Sequence, residues 1–93
     1  MDFATRADLT GRLRGLVIML DDGLTTEQQR SAEELIDESE FGAALELLAG
    51  LLAEAETPIP DDVRRDFERL SAQIGNTEQV MPPLDRCPVQ PDE

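Results

Sequence analysis

Leu9, Leu13, Leu16, Val17 and Leu20 recur at steps of three and four between about Ala4 and Leu20, the interval at which side chains share one face of an α-helix. Three arginines and Asp8 fall mostly elsewhere around that wheel, so the spacing predicts a first helix with one buried stripe. Asp21-Asp22-Gly23 ends it, because glycine commonly follows a helix C-terminus and the aspartates favour a turn. Thr25 with Gln28 has the spacing of a capping box, and Glu27 puts negative charge in a first turn, where the helix dipole favours it. The second helix that starts there runs to about Ser39. Its inward side is thin, only Ala32, Leu35 and Ile36, while Arg30, Glu33, Glu34 and Asp37 project from the opposite side.

At Glu40-Phe41-Gly42 the hydrophobic phase changes, which predicts a tight corner. A third helix, about Phe41 to Ala55, carries Phe41, Ala44, Leu45, Leu48, Leu51, Leu52 and Ala55 on one broad face and a small, acidic set, Gly42, Ala43, Glu46, Ala49, Gly50, Ala53 and Glu54, on the other. Burying its large side chains at roughly 1.5–3 kcal/mol each makes it the spine of the core. The small Gly42, Ala43, Ala49 and Gly50 either let another helix of the same domain approach closely or admit a partner's side chains close to the backbone. Thr57-Pro58-Ile59-Pro60 cannot continue a helix; Asp61-Asp62 then load the start of a fourth, marked by Val63, Phe67, Leu70 and Ile74 and ended by Gly75-Asn76. Thr77 to Glu93 holds four prolines and no periodicity, and reads as an extended tail with Val80, Met81 and Leu84 near the bundle. The expected architecture is therefore all-α: a compact four-helix, bundle-like domain over residues 1–76 and an extended Pro-rich C-terminal tail over 77–93.

Composition narrows what such a fold does. The chain has 93 residues, 40% of them hydrophobic, and a mean hydropathy of -0.35, which suits one folded domain. There is no histidine, and the single cysteine, Cys87, lies in the tail as an incidental thiol. Most zinc chemistry and most activated Ser or Cys nucleophiles need one or both of these residue types, so no catalytic site, metal or cofactor is expected. A lone cysteine makes no internal disulfide, the N-terminus has no basic start followed by an apolar run, and the richest apolar stretch, Leu45 to Ala55, contains Glu46 and Glu54. These features point to a cytoplasmic protein with no membrane span.

The net charge of -13 is concentrated: residues 1–20 carry +1, residues 21–62 carry -12 and residues 63–93 carry -2. Direct binding to DNA or RNA is disfavoured, because phosphate contacts need a basic stripe. A basic protein is the partner this charge suits, since complementary charge speeds encounter and sets specificity. The plain alternative is a solvated face that keeps a small protein soluble. Neither Asp21-Asp22, Asp61-Asp62 nor Glu33-Glu34 has the spacing of a calcium loop, and turn and N-cap roles account for the aspartate pairs.

Glu40-Phe41-Gly42-Ala43-Ala44-Leu45-Glu46-Leu47-Leu48, followed by Leu51, Leu52 and Glu54, resembles the Glu-(Phe/Tyr)-Gly-x-Ala-Leu-Glu-x-Leu core of small bacterial immunity proteins of the MafI type. Thr57-Pro58-Ile59-Pro60 and the helix ending Leu70-Ser71-Ala72-Gln73-Ile74-Gly75 are similar to that family's second half, so the resemblance covers roughly Glu33 to Gly75. It implies a helical protein of polymorphic toxin systems that binds a cognate toxin domain in the producer's cytoplasm and neutralises it, and it brings no catalytic residues. The Pro-rich tail departs from the pattern.

Charge and resemblance together single out Glu33, Glu34, Asp37, Glu38 and Glu40, with Glu46 and Glu54 beside them, as the partner-binding residues. Their expected role is to occlude the active site of a toxin with a basic surface, such as a nuclease. Two rivals share the same acidity. An acyl or peptidyl carrier domain needs a serine, usually in Asp-Ser-Leu, at a helix start; the nearest candidate is Ser39 in Glu38-Ser39-Glu40, which glutamate follows in place of leucine. A regulatory adaptor for a basic host protein would look the same in sequence.

Overall fold

A computed structural model describes residues 2–89 of the chain. Helix α1, Phe3–Met19, is capped by Asp2, whose Oδ1 accepts from the Thr5 N–H at 2.7 Å. One 3-10 turn, Asp21–Gly23, leads to Leu24 and then to α2, Thr26–Asp37. The expected capping box is present: Gln28 N–H donates to Thr25 Oγ1 at 3.1 Å, and Thr25 N–H donates to Gln28 Oε1 at 2.9 Å. Helix α3 covers Phe41–Glu54, α4 covers Asp61–Ile74, and α5 covers Thr77–Leu84.

The corners are made in a way the residue types only partly announce. Gly75 closes α4 at φ 96°, a left-handed conformation that glycine adopts without strain. The ends of α2 and α3 use the same conformation without a glycine, at Ser39 (φ 62°) and Glu56 (φ 50°). There the chain reverses through Glu40 N–H to Leu35 O at 2.8 Å and Thr57 N–H to Leu52 O at 3.0 Å, which satisfies carbonyls the helices leave open. Gly23 has a different reason. A Cβ at that position would stand 3.0 Å from Thr57 Cγ2 and 3.5 Å from Leu52 Cδ2, so its missing side chain lets the α1–α2 turn lie against the end of α3.

All five leucine and valine positions of the α1 stripe are buried, and so are Ala32 and Ile36 of α2 and Val63, Phe67 and Leu70 of α4. Helix α3 departs from its expected two-sided pattern: Ala49 and Ala53, assigned to the outer side, are buried, while Ala55 is exposed. The cause is its central place, since α3 packs against α1, α2, α4 and α5 and keeps little outward surface.

The extended tail is corrected over its first half. Thr77–Leu84 is helical even though Pro82 and Pro83 lie within it. Proline removes backbone donors and biases the residue before it away from the helix; here burial outweighs both effects. Val80 and Leu84 are fully buried, Cys87 nearly so, and all three join the same core as α3 and α4. Arg64 then clasps the end of α5, Nη1 donating to the Leu84 carbonyl at 2.9 Å and Nη2 to the Cys87 carbonyl at 3.0 Å. Ile59 N–H donates to Pro88 O at 3.0 Å, and Ile59 and Val89 form an isolated parallel bridge. The proposed boundary at residue 76 thus falls inside the packed body, whose radius of gyration, 12.4 Å, matches the value of about 12 Å for a folded domain this long. Residues 90–93 of the expected tail lie outside the described residues. No helix among the described residues is long and apolar enough to cross a membrane.

Candidate partner-binding surface

All seven carboxylates singled out in the sequence are exposed, but they do not form one patch. On α2, Glu33 and Asp37 stand one turn apart, as do Glu34 and the C-cap residue Glu38, so four acids cover adjoining strips of the helix and its end. Glu40 is the residue before α3 and its side chain makes no capping bond. Glu54 ends the same helix, about 21 Å farther along its axis at 1.5 Å per residue. Glu46 has an internal partner: Asn76, between α4 and α5, donates from Nδ2 to Glu46 Oε2 at 3.3 Å and to the Gly42 carbonyl at 3.1 Å. The acidic face that remains coherent is α2 with the corner at Glu40.

Arg14 of α1 pairs with Asp37, and both side chains are more than half exposed, so the pair adds only about 0–1 kcal/mol to stability. Its effect is on the field. It cancels one of the α2 charges and leaves Glu33, Glu34, Glu38 and Glu40 without an ion pair among the described residues. Ser39 sits half-buried in the left-handed corner between α2 and α3. The small residues of α3 admit packing from within the domain at one end. A Cβ on Gly42 would come 3.3 Å from Asn76 Nδ2 and 3.5 Å from Ile74 Cγ2, so the chain's own α4–α5 junction covers it, whereas Gly50 faces open space.

The end of α1 carries exposed apolar side chains apart from the seven carboxylates. Ile18 is 73% exposed and Met19 52%. Three surface hollows meet these two side chains. The largest, about 630 Å³, is lined by Met19, Leu20, Pro58, Pro60 and Val63 with Asp22 and Asp62. A second, about 150 Å³, lies between Met19, Leu16 and Leu70 beside Arg12 and Asp66. The third, about 320 Å³, is bounded by Ile18, Arg14, Glu33 and Asp37. A signal was present: Leu16-Val17-Ile18-Met19-Leu20 is five apolar residues in succession, more than one helical face can bury. No family model, curated protein or solved structure matches the chain, so its fold and this surface stand on its own residues.

Proposed function

We propose that this protein is an immunity protein: it binds a cognate toxin domain one-to-one and blocks that domain's basic active-site surface. The reading is supported by one observation above the others. Helix α2 holds four exposed carboxylates on a helix that buries only Ala32 and Ile36, so most of its surface is free to meet a partner. A solvated helix needs no such density. The resemblance around Glu40-Phe41-Gly42 falls at the corner where this face ends, and it supplies the toxin as the class of partner. Occlusion is steric and electrostatic, with Glu33, Glu34, Glu38 and Glu40 facing cations that would otherwise hold a phosphodiester or similar anion. No step of chemistry is asked of this chain.

Co-expression tests it. Cells carrying the toxin domain encoded beside this gene should survive when the protein is made and die when it is not. Death in both cases, with the protein folded and abundant, removes the immunity reading.

A further inference from the structure

We propose that the exposed end of α1, Ile18 and Met19 with the hollows on either side, is a second contact surface that accepts a large apolar side chain from a basic protein segment. The inference does not depend on the immunity reading, because a basic partner of any function would use the surface in the same way.

The apolar part has a defined shape. Met19 lines both hollows on the α4 side, and Ile18 lines the one on the α2 side, so the two residues form a ridge between concavities. Single exposed hydrophobic residues are ordinary. Two adjacent ones beside a hollow walled by Leu20, Val63, Pro58 and Pro60 offer a partner an apolar socket as well as an apolar ridge.

Charge selects the occupant. Five carboxylates, Asp22, Asp62, Asp66, Glu33 and Asp37, line these hollows, against two guanidinium groups, Arg12 and Arg14. Both cations are engaged: Arg12 with Asp8 at 3.6 Å and with Gln73 Oε1 at 3.0 Å, and Arg14 with Asp37. Asp22, Asp62 and Asp66 have no ion pair among the described residues. A second copy of this chain would bring the same carboxylates face to face, and nucleic acid would bring phosphates. A segment with Arg or Lys flanking a Leu, Phe or Met fits both the socket and its rim.

The probe is a short synthetic amphipathic helix of leucine and lysine, titrated into the isotopically labelled protein while amide shifts are followed. Saturable shifts are expected at Leu16–Gly23 and Thr57–Asp66, weakening with salt. Replacing Ile18→Asp with Met19→Asp should weaken binding about tenfold or more, and Asp62→Asn with Asp66→Asn should weaken it while leaving the apolar ridge intact. Ile18 and Met19 are exposed, so unchanged shifts at buried α3 positions will report an intact fold. The proposal is overturned if the shifts are confined to Glu33–Glu40, if both variants bind as the parent does, or if a leucine–glutamate helix binds equally well. Rescue from the toxin that survives both variants would leave immunity standing and remove this surface from it.

Discussion

Arg64 of α4 donates from Nη1 to the carbonyl of Leu84, the last residue of α5, at 2.9 Å, while its other terminal nitrogen reaches Cys87 O. One guanidinium therefore ties two carbonyls together, that of Leu84, which also accepts from the Cys87 N–H, and that of Cys87 in the turn beyond α5. Hydrogen bonds to a charged group contribute about 1.5–3 kcal/mol each when well placed, and Arg64 is half-exposed, which argues for the lower end.

Arg64→Ala is expected to lower stability by about 3 kcal/mol, seen as a fall in the urea midpoint. Amide exchange should quicken first at Cys87, whose N–H donates to Leu84 O. Arg64→Lys should restore only part of the loss, because one ammonium does not span both carbonyls. Equal stability of all three proteins would show that α5 is held by its apolar side alone.

Burial pushes the Cys87 thiol above its ordinary range, against the opposing pull of Arg64 and Arg86. The folded protein thus holds this proton more tightly than the unfolded chain does. Its contribution is complete below the unfolded value of about 8.5 and is lost as pH rises through the raised folded value. No histidine, lysine or tyrosine titrates alongside it. The urea midpoint should fall on the alkaline side of about pH 8.5, and Cys87→Ala should flatten that dependence. A slope of the same size in the variant would assign it elsewhere.

Glycine and left-handed backbone are mismatched at two places. Gly50→Ala puts a methyl into open space within α3, and Glu56→Gly relieves a residue held at φ 50°. Each should stabilise by about 0.5–1 kcal/mol. Gly23→Ala should do the reverse, since Thr57 must move aside. Thermal midpoints decide the signs.

If the α2 face meets the partner, Glu34→Lys together with Glu38→Lys should slow association with a basic toxin domain. The effect should shrink as ionic strength rises past the point where the Debye length is about 10 Å. Neither side chain makes a hydrogen bond or ion pair among the described residues, and the one bond between them, Glu38 N–H to Glu34 O, is backbone, so stability should hold. Stopped-flow association rates check it, and unchanged rates would take α2 out of the encounter.

The four main helices were legible because their apolar residues keep one period and their ends carry local signals: the Thr25–Gln28 box, Pro58 and Pro60, Gly75. Helix α5 was not. Its prolines oppose the helix locally, and what overrides them is the seam between α3 and α4, which exists only after the fold has formed. The acids of α2 were legible as exposed, since nothing in the helix asks to bury them. Glu46 was not separable from them, because its partner Asn76 is thirty residues away. Ile18 and Met19 were hidden inside a run that looked like core.

The packing of α5 into the seam of α3 and α4 makes the core depend on residues that are synthesised late. A nascent chain stopped at Gly75 presents α3 and α4 with an unfilled seam, since Val80, Leu84 and Cys87 have yet to be made. Until they leave the ribosome, the apolar side chains of α3 and α4 that they cover in the finished fold have no such cover.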